Sequence, residues 1–365
     1  MAIDMNKENI FKLVAILVPI IALTFDFFIG VAVLVIICGL LYFTKNLPKK
    51  GLALAIVIFF VFAELYFLYF QPAVYIAKSQ GTILDDNWYQ ALTWLKENTP
   101  ECTVVATYWD PGHFITGVAR RAVVFDGASQ GELFSRKANY TEEGVKVEQH
   151  DSNINHIVLY SGGNKTTARI QDISTTLLTA NETLAIEILK EYRKPGCDSM
   201  YYIASSDLIG KSTWWSYFAT WNPVDKRGTP YVYSTASLGN ARPDVQQNAI
   251  IYTYPLSQQE SFVVYVTNST VIAFLQQQGT AQPLKMRHFI YFDASGTGRL
   301  YTQDDAVVDG TLWIEPGNGA VLFIAPELED SMFTRMFLYN GNGLQNFQLV
   351  NNWGGEVKLF KVNFS

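Results

Sequence analysis

The chain has 365 residues, 49% of them apolar and 14% aromatic, with a formal net charge of −6 and a pI near 5.3. That length holds one or two globular domains beside a membrane part, and the acidic balance argues against a nucleic-acid binder, which shows a basic patch. Three cysteines make no disulfide framework. Cys38 falls in a hydrophobic run. Cys102 and Cys197 each precede a predicted strand and are read as unpaired thiols, with a bridge between them as the alternative.

Ile10 to Phe43 is apolar and too long for one untilted span, and Pro19 and Asp26 suggest a break into helices near 10–25 and 27–43. Gly51 to Phe70 reads GLALAIVIFFVFAELYFLYF. About twenty helical residues span the ~30 Å hydrocarbon core, so a third transmembrane helix is expected over 51–70. Glu64 within it is costly against lipid and is expected at a protein neighbour or near the interface. Lys45, Lys49 and Lys50 mark the cytoplasmic side, so this helix carries everything after Gln71 outward. No small-residue cleavage site follows the first segment, which is therefore not read as a signal peptide. The expected location is the cell membrane, multi-pass, with the soluble domain extracellular. Asn139, Asn164, Asn181, Asn268 and Asn363 open Asn-x-(Ser/Thr) triplets that would be acceptor sites there.

Asp85 and Asp86 read as N-caps of a helix with Trp88, Leu92 and Leu95 at helical spacing, ended by Asn98-Thr99-Pro100. Val104 and Val105 lead a strand into Tyr108-Trp109-Asp110-Pro111-Gly112. This turn sets two aromatics and a carboxylate at a strand's carboxyl end, where open α/β sheets bind ligands. A second short strand, Val123 to Phe125, ends at Asp126-Gly127. Asp86 to Gln130 reads DNWYQALTWLKENTPECTVVATYWDPGHFITGVARRAVVFDGASQ. It resembles the start of the soluble domain of the archaeal-type oligosaccharyltransferase catalytic subunit. In that family a helix ending W-L-(R/K)-E-N-T-P leads to a strand, a W-W-D-Y-G signature and a segment ending V-x-D. Tyr108 stands for the first Trp, Pro111 for the Tyr, and His113 where the family often has an aromatic.

Gly131 to Ser161 is polar and weakly patterned and is expected as a loop with short helices. Thr166 to Leu178 and Glu182 to Arg193 read as helices, then Met200 to Ala204 as a strand, which together give an α/β core. Ser205 to Trp215 resembles the family's second motif, a short helix whose Asp and Lys help form the acceptor pocket. The resemblance assigns Asp207, Ile209 and Lys211 to that pocket. Asp207 and Lys211 stand four apart, on one helical face. Trp214, Tyr217, Phe218 and Trp221 are read as an apolar packing face.

From about Asn240 the pattern changes to short strands near 249–254, 262–266, 271–275, 289–292, 298–301, 311–314 and 320–324, as in a barrel or sandwich. Asp304, Asp305 and Asp309 lack calcium-loop spacing and are read as solvated turns. Asp330 to Met336 resembles a late family helix, and strands close the chain. The resemblance covers roughly 82–235 and 326–364.

The fold class expected is an α/β (mixed α+β) extracellular core domain with a β-rich insertion, preceded by two or three transmembrane helices. The expected domains are membrane segments in 1–75, an α/β core with the acceptor motif in 76–235, the β-rich insertion in 236–325 and a return to the core in 326–365. The resemblance implies transfer of a lipid-linked oligosaccharide to Asn of Asn-x-Ser/Thr acceptor polypeptides. Tyr108, Trp109, Asp110, Pro111 and Gly112 would recognise the hydroxyl. The family's metal-binding acids lie in an N-terminal membrane half, and Asp26 alone is no metal site. No cofactor is therefore expected on this chain, no catalytic residue is assigned, and a divalent metal (Mn or Mg) and an N-terminal catalytic half are expected of the complete enzyme. A split subunit, a truncation and a degenerate paralogue all fit. The alternative is a non-catalytic membrane-anchored surface module binding peptides, glycans or envelope proteins. An independent glycosyltransferase is disfavoured, since no acidic pair or nucleotide-binding glycine loop occurs.

Overall fold

The computed structural model describes residues 65–79, 84–239, 242–279 and 282–364. The chain divides into two units, Met1–Asp85 and Asp86–Ser365. In the first, a wide helical turn, Leu65–Phe70, runs into helix α1, Gln71–Ser79. The membrane helices expected at 10–25 and 27–43, most of that at 51–70, Cys38 and Glu64 all lie outside the described residues. Among the described residues no helix is long and apolar enough to cross a membrane.

The second unit is a mixed α/β domain. Helix α2 (Asp86–Asn98) forms because Trp88, Ala91, Leu92 and Leu95 recur three and four apart and bury one face. Its carboxyl end is closed by Arg121, a buried guanidinium that donates to the carbonyls of Lys96 at 2.7 Å and Thr99 at 2.6 Å. A cation there satisfies carbonyls that have no helical partner and meets the negative end of the helix dipole.

Strand β1 (Val104–Ala106) is buried throughout and lies parallel to β2 (Ala122–Val123) and β7 (Met200–Ser205). β17 (Phe347–Trp353) and β18 (Val357–Val362) complete a sheet of order β17-β18-β7-β1-β2, with β18 antiparallel to β7. Val104 pairs with Met200, so the segments that precede β1 and β7 lie side by side. Cys102 and Cys197 form a disulfide there, their Cα atoms 6.1 Å apart. Two unpaired thiols were the expectation. Sequence spacing carries no strand register, and the parallel neighbours supply it.

Gly131 to Ser161 is mostly sheet rather than loop, with one short helical turn at Asp151–Asn153. It contains β3 (Leu133–Lys137), β4 (Gly144–Gln149) and β5 (Asn155–Ser161), which with β6 (Asn164–Ala168) form an antiparallel sheet of order β3-β6-β5-β4. The pattern misleads because β4 is inverted: Val145 and Val147 are exposed, and Lys146 and Glu148 take the covered side. β6 also delays the next helix, α4, to Arg169–Leu178. Helix α5 (Glu182–Lys190) starts at Asn181, whose side chain accepts from the N–H groups of Thr183 and Leu184.

Helices α6 (Asp207–Gly210) and α7 (Ser212–Ala219) follow β7. The expected apolar face of α7 is corrected. Trp214 is 61% exposed, and the buried face is Ser212, Trp215, Ser216 and Ala219. Serine hydroxyls that bond backbone are content inside: Ser216 donates to the Ser212 carbonyl at 2.5 Å and accepts from the Tyr231 N–H at 2.7 Å. The apolar period therefore misses this face.

Every strand expected between 249 and 324 is present. β8 (Tyr233–Ser237), β9 (Asp244–Gln246), β10 (Ala249–Pro255), β11 (Glu260–Thr267), β12 (Val271–Gln277), β13 (Leu284–Phe292), β15 (Val308–Glu315) and β16 (Ala320–Ile324) make one sheet of order β8-β16-β15-β13-β12-β11-β10-β9. β14 (Gly298–Thr302) pairs with β13. Phe262, Val264, Met286, Phe289 and Leu312 form a separate core under it. Asp305 and Asp309 are exposed, as expected of solvated turns, and pair there with Lys285 and Arg287. Helices α8 (Pro326–Glu329) and α9 (Met332–Phe337) return the chain to the first sheet.

Candidate functional site

Because β1 and β7 are parallel neighbours, their carboxyl ends open on the same sheet edge. β1 runs into the turn Tyr108–Gly112, and β7 runs into α6. The two segments meet through one side chain. Lys211 Nζ lies 3.0 Å from Asp110 Oδ2 and 2.7 Å from Asp207 Oδ2. Asp207 also accepts from the Ser205 hydroxyl at 2.5 Å. Burial pulls the Lys211 pKa down, but Asp207 and then Asp110 outweigh it and hold the ammonium above its usual range. Asp110 Oδ2, the oxygen facing Lys211, is sealed from solvent.

The turn itself is tightly built. The Gly112 N–H donates to the Trp109 carbonyl at 3.1 Å, and buried Pro111, at φ −74°, enters the short helix α3 (Gly112–Phe114). A Cβ at Gly112 would lie 2.5 Å from Asp126 Cβ and 2.8 Å from the Phe125 carbonyl oxygen, so the close approach admits only glycine. Trp109 is half-buried and packs beside Gly127. Asp126 anchors that second turn, accepting from the Ser129 hydroxyl at 2.9 Å and the Ser129 N–H at 3.0 Å. His113 Nδ1 stands 3.7 Å from Asp126 Oδ2. Burial raises the Asp126 pKa, but the Ser129 bonds and His113 bring it below the ordinary carboxyl range.

Tyr108 is not presented at the surface. It is 1% exposed and packs edge-to-face on Phe125, ring centroids 6.0 Å apart. Burial, and then the Asp110 carboxylate, push its phenol well above the ordinary range, with Trp109 acting in the opposite sense. Ile209 is half-buried and packs on the main core. The structure thus brings Asp110, Asp207 and Lys211 together beside Trp109, and sets Tyr108, Pro111 and Gly112 beneath them as the frame. His113 and Asp126, which the sequence marked but did not assign to the site, join this frame. The Asp126-Gly127 pair at a strand end was the available signal.

Cavities lie elsewhere, on the β3–β6 sheet, and two of them bear on function. One of ≈ 240 Å³ is apolar, with Leu133, Ile157, Phe218 and Trp221 in its wall. The other, of ≈ 380 Å³, gathers Glu148, His150 and His156, which the sequence reading passed over. Their signal was Glu148-x-His150, two residues on one face of a strand.

No family model matches the chain. It is 25% identical over 317 residues to a dolichyl-phosphooligosaccharide-protein glycotransferase of Methanocaldococcus jannaschii, covering 74% of this chain and 33% of the relative. It is 22% identical over 326 residues to the Methanococcus voltae protein of the same name, covering 73% and 35%. The chain therefore spans about a third of the length of these curated relatives. Among solved structures, the C-terminal domain of C. jejuni pglb superposes with a TM-score of 0.40 at 12% identity, covering 75% of this chain and 99% of that one. The Archaeoglobus fulgidus oligosaccharyltransferase tethered to an acceptor peptide with the NVT sequon gives 0.36 at 13% identity, covering 89% and 30%. By sequence, the chain is related to the archaeal dolichyl-phosphooligosaccharide-protein glycotransferases.

Proposed function

We propose that this chain recognises the acceptor in protein N-glycosylation, binding the Ser/Thr of Asn-x-Ser/Thr while a lipid-linked oligosaccharide is transferred to the Asn. The observation that carries this reading is the meeting of Asp110 with Lys211 and Asp207, beside Trp109, at the shared end of β1 and β7. An acceptor hydroxyl would donate to Asp110, and the Trp109 indole would cover the contact and keep water out. A site built for a hydroxyl rejects a residue without one, because its polar groups are left unpaired. Lys211, 3.0 Å from Asp110 Oδ2, holds the carboxylate in place.

Asp110 and Asp207 already share the Lys211 ammonium, so this trio does not fit a divalent metal. In this reading the acids that hold Mn or Mg and act on the donor come from an N-terminal membrane half. That half is a partner subunit or a preceding part of the same protein. The soluble unit stands on the outer face of the cell membrane, and the Cys102–Cys197 disulfide suits that oxidising side.

A second reading, a peptide- or glycan-binding surface module, draws on the apolar cavity walled by Leu133, Ile157, Phe218 and Trp221. One titration separates them. The full chain in detergent is titrated with matched Asn-x-Thr and Asn-x-Ala peptides. Acceptor recognition requires a clear preference for the Thr peptide that Asp110→Ala removes without unfolding. Equal binding of both peptides would sink it.

A further inference from the structure

We propose that Glu148, His150 and His156 form a binding site for a divalent transition-metal ion, with Zn²⁺ the best-suited ion. β4 and β5 are antiparallel, and Glu148 stands directly opposite His156 in their register. His150 follows Glu148 by two residues and so shares its face of the sheet. Its N–H donates to the Ile154 carbonyl at 3.0 Å, which closes the ladder at the hairpin end. One ligand atom from each of the three side chains lies within 4.8 Å of the others. Glu148 Oε2 is 3.7 Å from His156 Nδ1. Around a tetrahedral zinc the ligand atoms are about 3.4 Å apart, so small side-chain rotations close the set.

The surroundings are built to aim these ligands. His156 is 1% exposed, and its Nε2 lies 2.6 Å from Asp172 Oδ1. Asp172 is itself fully buried and held by the hydroxyls of Thr167 at 2.6 Å and Tyr192 at 2.5 Å. A carboxylate so placed accepts the Nε2–H hydrogen bond and leaves Nδ1, on the Glu148 side, as the ring atom for an ion once its proton is displaced. Metal-ligating histidines are commonly oriented in this way. His150 Nε2 is sealed from solvent and takes no hydrogen bond, a cost that a bound ion would remove. The imidazole rings of His150 and His156 face the same place, centroids 6.4 Å apart.

The cavity of ≈ 380 Å³ that these residues line leaves room for an ion and a further ligand, and Glu187 of α5 borders it. Lys165 also borders it, but Glu191 draws its ammonium off at 3.2 Å. Glu148 and Asp172 supply two negative charges around two imidazoles, which balances a dication. Two nitrogens and one carboxylate oxygen suit zinc, whereas calcium and magnesium take oxygen ligands. Two of the four histidines in the chain lie in this one cleft. The ion would tie β4 to β5 and, through Asp172, to α4.

The test uses the tag-free full chain, stripped with chelator and titrated with ZnCl₂ alone by calorimetry. Co²⁺ absorption in the visible reports the ligand geometry. One Zn²⁺ per chain is expected. Glu148→Gln and His150→Ala should each weaken it at least tenfold while metal-free circular dichroism stays as in the parent. His288→Ala should bind as the parent does. His156 is left intact, since removing it strands buried Asp172 and threatens folding. Absence of stoichiometric Zn²⁺ uptake by the parent, or uptake unchanged in both folded variants, overturns the proposal.

Discussion

Lys211 joins the carboxyl ends of two parallel strands: its Nζ is 3.0 Å from Asp110 and 2.7 Å from Asp207. The pair Asp110–Lys211 is partly solvated, so it contributes at most about 1 kcal/mol to stability. Its value lies in holding a carboxylate at a fixed place. Lys211→Met should leave the melting temperature nearly unchanged and weaken Asn-x-Thr peptide binding about tenfold. Asp110→Asn should do the same, and the double variant should lose less than the sum, since both act through one contact. Fluorescence titration with the peptide checks this, and strict additivity would separate the two residues.

Adjacent tryptophans on α7 differ sharply. Trp215 is fully buried and its indole N–H donates to the Leu208 carbonyl at 2.9 Å, whereas Trp214 is exposed. Trp215→Ala should cost roughly 3–5 kcal/mol, from cavity and lost burial together. Trp214→Ala should stay within about 0.5 kcal/mol. Denaturant melts of the two variants decide it.

The Cys102–Cys197 bridge closes a loop with a sequence separation of 95. Constraint of so long a loop in the unfolded chain stabilises by about 4–5 kcal/mol in the entropic account. Reductant, Cys102→Ser and Cys197→Ser should each lower the unfolding midpoint by a similar amount. Reductant should add nothing to either variant.

Asp126 gives a pH dependence with a definite sign. Its folded pKa lies below the ordinary carboxyl value of about 3.9, so the unfolded chain binds the proton more readily. Its stabilising contribution is complete above that value and is lost as pH falls through the folded pKa. Asp126→Asn should therefore destabilise at neutral pH and flatten the loss of stability below about pH 4. Acid titrations of intrinsic fluorescence, parent against variant, measure it. Trp109 and His113, which pack at Gly127 beside this turn, should loosen with it.

The sequence by itself determined the elements whose signal is local. The period of Trp88, Leu92 and Leu95 marked α2, alternation and turn residues marked each strand from 249 to 324, and the four-residue spacing of Asp207 and Lys211 put both on one helical face. The motif Tyr108-Trp109-Asp110-Pro111-Gly112 was legible as a strand-end turn for the same reason. Tertiary structure alone decided which of its aromatics faces outward: Tyr108 is inside because Phe125 packs on it from the neighbouring segment. It alone paired Cys102 with Cys197, because strand register is a long-range property. It alone made 131–161 a sheet and gathered Glu148, His150, His156 and Asp172. Hydrophobic periodicity marks a buried face only where burial is apolar. Where polar side chains are buried against one another, their partners come from distant elements, and only the folded chain shows them.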